Sequence, residues 1–264
     1  MGKKMKNAPV YFTVAQVRFN PVLNIEGYLS TIQDRMRIAR FPDFKRVDLN
    51  QLIMQFGSAS DGGQPPAPVF VPQSHCVFGN REGTTEFILQ TNALTLQTTA
   101  YETFPIFLDI FLKGLKIVDD VLQLDFTERI GLRYLDAILP RETESLSDYL
   151  TVEVLGLSQK LDRNVLHSFH ETVSSNLNGQ LVSRVIIQQG CVGLPPDISA
   201  LAPRVDSRFT QKEGWHAVVD TDSFIEQREP LDFQNIESKL TALHDEIIRS
   251  FKATVTPYAF SVWE

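Results

Sequence analysis

Cysteine is scarce in this sequence: Cys76 and Cys191 are the only two, and neither lies at the spacing of zinc ligands. Two distant cysteines cannot build a disulfide framework, so we expect a reducing, cytoplasmic environment. The first six residues are basic, but the alternating sequence that follows lacks the continuous apolar core of a signal peptide. No stretch approaches the ~20 apolar residues of a membrane span, so we expect no membrane contact.

Positive charge is also in short supply. Lysine and arginine total 25 against 32 acidic residues, which gives a net charge of −7. Sequence-independent binding of nucleic acid needs a basic surface, so we do not expect a nucleic-acid partner. The sequence contains no phosphate-binding loop, dinucleotide fingerprint, nucleophile elbow or zinc-protease helix. We therefore predict no cofactor and no catalytic residue.

The residues that most often carry chemistry occur in unpromising contexts. His167 and His170 have a spacing that suits a metal on a helix, but on a strand the two side chains point to opposite faces. His75 and Cys76 are neighbours and rarely face each other for the same reason. Asp220 and Asp222 project to one side of a strand, where they hold a hard cation or mark a strand-end turn. We predict no metal site.

Alternating and helical apolar patterns dominate the chain. Residues 10–19 alternate as a strand, and apolar residues from Ile25 to Met36 then mark an amphipathic helix that ends near residues 41–42. A strand-helix-strand pattern then covers residues 94–139 and recurs at 215–263, ending in a strand at 258–263. The pattern predicts an α+β fold of two pseudo-repeated halves, each an antiparallel sheet packed against a long amphipathic helix.

Composition places the boundary between these halves near residue 140. The N-terminal half, residues 1–140, carries the extra strand-helix unit, and the C-terminal half is residues 141–264. Hairpin signals precede each repeat, and the clearest is the turn at residues 176–179. Residues 57–68 and 190–214, rich in glycine and proline, are predicted loops that act either as binding loops or lids, or as surface insertions.

Arginines inside apolar strands form the most distinctive group of charged residues. Arg129 and Arg133 share one face of their strand, and a partly buried guanidinium must find a carboxylate, a carbonyl or an anionic ligand. One interpretation is a set of cross-strand salt bridges. The other is a concave sheet face that binds an acidic segment or a phosphate-bearing ligand. The candidate ligand-binding residues are Arg18, Arg129, Arg133, Arg184, Glu128 and Glu171.

Four segments also carry a resemblance to a known family: Val14–Pro21, Thr98–Phe104, Glu128–Asp136 and Thr254–Trp263. Together they make the chain resemble, over nearly its whole length, an uncharacterised prokaryotic family described as sporadically distributed. That family has no assigned activity. The resemblance implies an accessory gene, such as one in a bacterial phage-defence or toxin-antitoxin cassette.

Two functional hypotheses follow from these patterns. We favour a soluble binding or adaptor protein that contacts a protein partner through a sheet face or groove, because no nucleophile-base spacing occurs. The alternative is a small-anion-binding sensor or an enzyme whose site forms around the strand arginines. A homodimer is a further candidate assembly, since pairing of two copies would bury an exposed sheet edge.

Overall fold

A computed structural model of the chain describes residues 6–53, 69–161, 164–199 and 201–264. Within these ranges the protein is α+β, as the sequence predicts, with nine strands in one antiparallel sheet and eight α-helices. The strands are β1 (Val10–Phe19), β2 (Asp43–Ile53), β3 (Val69–Gly79), β4 (Thr85–Gln90), β5 (Ala93–Thr98), β6 (Phe126–Ile138), β7 (His167–Asn176), β8 (Gly179–Gly190) and β9 (Gly214–Pro230). The helices are α1 (Leu29–Ile38), α2 (Phe104–Leu122), α3 (Leu146–Tyr149), α4 (Val152–Leu155), α5 (Pro196–Ser199), α6 (Ser207–Thr210), α7 (Phe233–Thr254) and α8 (Pro257–Trp263).

The sheet joins the N-terminal and C-terminal parts of the chain. Its strand order is β2-β3-β4-β5-β1-β6-β9-β8-β7, so β1 and β6 lie near the centre and β2 and β7 form the edges. The pairing of β6 with β9 runs from Phe126 opposite Pro230 to Ile138 opposite Ala217. Residues 1–140 and 141–264 therefore contribute to one continuous sheet rather than to separate ones.

The long helices cover one face of the sheet, which we call the helix face. One apolar cluster combines buried residues of the central strands, such as Val17 and Leu132, with residues of α1, α2 and α7. The helix α2 lies close to β4, because a Cβ added to Gly114 would be 2.2 Å from the Phe87 ring. Close packing of this kind leaves no room for even a methyl group at residue 114.

The opposite face of the sheet is covered only in part. Residues 191–213, described except for residue 200, cross it near β1, β6 and β9, and we call this segment the strap. Val192 and Phe209 at its two ends are buried against Tyr11 and Leu135 of the sheet. The predicted loop at 190–214 thus contains α5 and α6 and packs on the sheet. The predicted loop at 57–68 lies outside the described residues.

The prediction of a final strand at residues 258–263 is wrong, since this segment is the helix α8. The Thr256 side chain accepts a hydrogen bond from the Ala259 amide, and Pro257 occupies the first turn, so both helix-start signals are present. Ala259 and Trp263, four residues apart, are the buried residues of this helix. A second difference is β2, an edge strand that the alternation analysis did not predict.

In the part of the chain that the structure describes, no helix is long and apolar enough to cross a membrane.

Candidate binding groove on the open sheet face

A groove of about 460 Å³ lies on the sheet face opposite the long helices, beside the strap. Residues of β1, β3, β4, β5 and β6, with Asp222 of β9, form its floor, and Asp197, Ile198 and Leu201 of the strap form one wall. Seven uncharged polar or basic side chains line the floor: Gln16, His75, Gln90, Thr95, Gln97, Arg129 and Arg133. Strand alternation explains the lining, because the residues between these floor positions pack in the core on the helix face.

Amide side chains on the floor are tied to their neighbours by hydrogen bonds. Gln16 Nε2 donates to Thr95 Oγ1 at 3.0 Å, and Gln90 Nε2 lies 2.8 Å from His75 Nε2. Gln97 Nε2 donates to Glu86 at 3.2 Å and to the main-chain oxygen of Leu201. These bonds fix the amides in place and present a rigid polar surface to the groove.

Arg133 is fully paired at one end of the groove. Its Nε and Nη2 donate to the two oxygens of Asp220 at 2.7 and 2.8 Å, and its Nη1 donates to Asp197 at 2.6 Å. Asp220 is buried, with 2% of its side chain exposed. Although burial lowers the pKa of Arg133, the two carboxylates raise it above its ordinary value. The bidentate geometry locks this guanidinium to β9.

Arg184 and Glu171 extend the same network toward the edge of the sheet. Arg184 Nε donates to Glu171 Oε2 at 2.7 Å, and its Nη1 lies 3.4 Å from Asp220 Oδ2. The register places Arg184 directly opposite both residues, Glu171 on β7 and Asp220 on β9. Asp220 is therefore shared by two arginines on neighbouring strands.

Arg129 is only loosely paired, although it lies four residues from Arg133 on β6. Its Nη1 donates to the neutral Gln16 Oε1 at 3.3 Å, while Asp222 and Glu226 remain at 4.0 and 3.8 Å. The guanidinium stacks on the Phe224 ring, 4.5 Å from the centroid. Gly131 makes room for it, since an added Cβ would be 2.7 Å from Arg129 Nη1.

The pKa shifts at this end reflect incomplete charge compensation. Burial lowers the pKa of Arg129 despite the attraction of Asp222 and Glu226, and Arg18, opposite it on β1, lowers it further. Burial also shifts the pKa of Asp222, in this case upward, and the attraction of Arg129 and Arg133 offsets only part of that rise. Two opposite charges therefore line the groove without a hydrogen-bonded ion pair between them.

Five of the six candidate ligand-binding residues lie on this face of the sheet, and one pairs elsewhere. Arg18, Arg129, Arg133, Arg184 and Glu171 share the face by strand alternation and register. Glu128 instead accepts a hydrogen bond from Arg228 at 2.5 Å. Within the described residues, Arg18 forms no ion pair. In the same part of the chain, no cluster of three or more histidine, cysteine or acidic residues could hold a metal ion.

Apart from Glu171, sequence reasoning missed the acidic partners of this network. Asp220 and Asp222 lie in the middle of β9 rather than at a strand-end turn, and they face the arginines of β6 across the sheet. Their alternation was the available signal, because acids two residues apart on one strand share a face, as do arginines four residues apart on another strand. Nothing in the local sequence indicated Asp197 as a partner of Arg133.

No model of a known protein family matches the chain, and no curated protein matches it significantly. The resemblance to a sporadically distributed prokaryotic family therefore stays a prediction.

Proposed function

We propose that the protein is a binding or adaptor protein whose groove holds an acidic segment of a protein partner. The incomplete pairing of Arg129 is the observation that carries this proposal. A partly buried guanidinium with one hydrogen bond to a neutral amide gains strongly from a carboxylate brought within bonding distance. Arg18, on the neighbouring strand, adds a second positive charge at the same end.

The amide floor suits the main chain of such a segment. Gln16, Gln90 and Gln97 line the groove on three different strands, and each carboxamide carries both donor and acceptor groups. An extended peptide presents both donors and acceptors along its length, so a row of fixed amides can position it while Arg129 selects its acidic side chain. His75, also on the floor, lies 2.8 Å from the Gln90 amide, which is not a nucleophile. This chemistry favours binding over catalysis.

A small-anion sensor or enzyme is the second candidate, and the size of the groove supports it. A volume of about 460 Å³ falls within the usual range for small-molecule sites. The same Arg129 guanidinium would then bind a free carboxylate or phosphate. The two candidates differ in whether recognition needs a peptide main chain.

We also propose that the chain contains two related halves, residues 1–140 and 141–264. Each half has three consecutive antiparallel strands followed by a long helix, β3-β4-β5-α2 and β7-β8-β9-α7, on opposite sides of the β1-β6 pair. Superposition of the two units in an experimental structure tests this idea. Helices that cross their strands at different angles would count against it.

An array of immobilised hexapeptides tests the binding function. Each peptide carries Asp or Glu at one position or at two, and each is matched by an Asn or Gln counterpart. We expect wild-type protein to retain a subset of acidic peptides but not their amide counterparts, and Arg129→Met to lose that retention at least tenfold. Arg228→Met is the matched control, because it removes an equal charge that pairs with Glu128.

The outcomes separate the candidates. If no peptide shows carboxylate-dependent retention in the wild type, the peptide-binding function is wrong. Titration of the same proteins with succinate and inorganic phosphate then addresses the small-anion alternative. Binding of either anion that depends on Arg129, without peptide binding, would favour a sensor or an enzyme.

A further inference from the structure

The strap is held along the groove by main-chain contacts as well as by its buried ends. The carbonyl oxygens of Leu201 and Arg204 accept hydrogen bonds from Gln97 and from Thr99 Oγ1. Gly193 at its start accepts a hydrogen bond from the Tyr11 hydroxyl at 2.8 Å. These contacts place α5, with Asp197 in its first turn, directly beside Arg133.

Asp197 differs from the other acid on Arg133 in how firmly it is held. Both carboxylates lie within 2.7 Å of the guanidinium, but the side chain of Asp197 is 62% exposed and that of Asp220 is 2% exposed. An exposed ion pair contributes little stability because solvent screens it, whereas a buried bidentate pair is fixed. Asp197 can therefore exchange with another carboxylate, and Asp220 cannot.

The charges of the fixed network balance without Asp197. Arg133 and Arg184 contribute two positive charges, and Asp220 and Glu171 contribute two negative charges. Asp197 adds a negative charge that the network does not need for neutrality. Its side chain uses the one Arg133 nitrogen, Nη1, that Asp220 leaves available on the groove side.

We propose that Asp197 is an internal ligand, occupying the place that a carboxylate of the partner takes when the groove is filled. This inference rests on the proposed binding function and deepens it. Binding is then a competition, in which one acidic side chain of the partner displaces Asp197 from Arg133 while a second acidic side chain binds Arg129.

The strap also indicates what the partner segment looks like. Ile198, next to Asp197, lines the groove and packs against the apolar cluster beneath the strap. The internal ligand is thus an acidic residue followed by a branched apolar one. We expect partner segments to carry the same pair, so that one side chain meets an arginine and the next covers apolar surface.

The test compares Asp197→Asn with wild type in the full chain, using the acidic hexapeptides of the array as probes in solution. Removing the competing carboxylate should tighten binding about threefold to fivefold, the range expected for loss of one exposed ion pair. Glu213→Gln is the control, since it removes the same charge from the exposed end of the strap. Peptides with Asp-Ile should bind better than those with Ile-Asp.

Equal affinities of Asp197→Asn and wild type, with binding still lost in Arg129→Met, would overturn the internal-ligand inference and leave the binding function standing. Absence of carboxylate-dependent binding in both wild type and Asp197→Asn would overturn both proposals. Tightening in Glu213→Gln equal to that in Asp197→Asn would show a general charge effect and also reject the inference.

Discussion

The two faces of the sheet bury different kinds of polar group. On the helix face a row of neutral hydroxyls crosses the centre, with Thr98, Thr13, Tyr134, Thr221 and Ser183 opposite one another on adjacent strands. On the groove face the equivalent centre holds charged pairs such as Arg133 and Asp220. Neutral hydroxyls suit a closed core, whereas charges suit a face that a ligand can reach.

The groove face itself has a structural end and an open end. At the structural end, the Asp220 carboxylate pairs with both Arg133 and Arg184. At the open end, the Asp222 carboxylate lies 4.0 Å from the Arg129 guanidinium and hydrogen-bonds to neither Arg129 nor Arg133. Two aspartates spaced by two on one strand thus have different roles, because their distance to the guanidinium groups differs. The following predictions test this division, beginning with the largest expected effect.

Asp220→Asn should destabilise the protein by about 3–5 kcal/mol, because it leaves Arg133 and Arg184 without their shared buried carboxylate. Asp222→Asn, the matched change at the open end, should cost less than about 1 kcal/mol, since no hydrogen-bonded pair is broken. Urea unfolding of both variants measures the difference. Equal losses would show that the two ends are not distinct.

Asp136 provides the second test, through pH. It lies two residues beyond Tyr134 on β6, on the helix face, and burial raises its pKa to about 7 from an ordinary 3.8. The folded state therefore binds the proton more tightly than the unfolded state, and this carboxyl group lowers stability as pH rises from about 4 to about 7. Asp136→Asn should be more stable than wild type at pH 8, on the order of 3 kcal/mol.

The same comparison at pH 4 is the internal control for Asp136. There the wild-type carboxyl is protonated in the folded state, so the free energies of unfolding of the two proteins should converge. A constant difference across the pH range would contradict the proposed origin of the effect and would indicate a packing change instead.

The hydroxyl row on the helix face gives a smaller effect, which is also stabilising. The Oγ1 atoms of Thr13 and Thr221 are buried and have no hydrogen-bond partner among the described residues. Replacing either with valine removes an unsatisfied polar group, so stability should rise by about 1 kcal/mol. Thr98→Val is the control, because the Thr98 hydroxyl donates a hydrogen bond to the Thr84 main-chain oxygen at 3.1 Å. Loss of this bond should lower the free energy of unfolding by about 1 kcal/mol. Thermal unfolding at neutral pH distinguishes the two signs.

Local periodicity was sufficient to predict the elements that run through the centre of the fold. The strand at residues 10–19 has the predicted limits, and α2 lies within the strand-helix-strand pattern predicted at 94–139. In both elements the apolar residues recur at regular intervals, of two in the strand and of three and four in the helix. The segment 258–263 was predicted as the last strand of the recurring strand-helix-strand pattern, yet it forms α8. There the helix-start signals of Thr256 and Pro257 outweigh the alternation.

The shared face of Arg129 and Arg133 was predictable for the same reason, since they lie four residues apart on one strand. Their partners were not, because Asp220 meets Arg133 only through the pairing of β6 with β9, a contact between residues 87 positions apart. Strand order depends on the whole sheet, so local sequence predicts which face of the sheet a charged side chain lies on but not which residue it contacts. The contact between Asp197 and Arg133 depends further on the path of the strap.

Glu128 offers the smallest expected effect and defines the limit of the groove. Glu171→Gln should lower the free energy of unfolding by about 1 kcal/mol, because Arg184 would then depend on a single longer contact with Asp220. Glu128 pairs with Arg228, whose side chain is 67% exposed, so Glu128→Gln should lower it by no more than about 0.5 kcal/mol. Since Glu128 bonds to Arg228 rather than to a groove arginine, Glu128→Gln should leave peptide retention on the array unchanged. Weakening comparable to that of Arg129→Met would instead place Glu128 in the binding surface and extend the groove toward the start of β6.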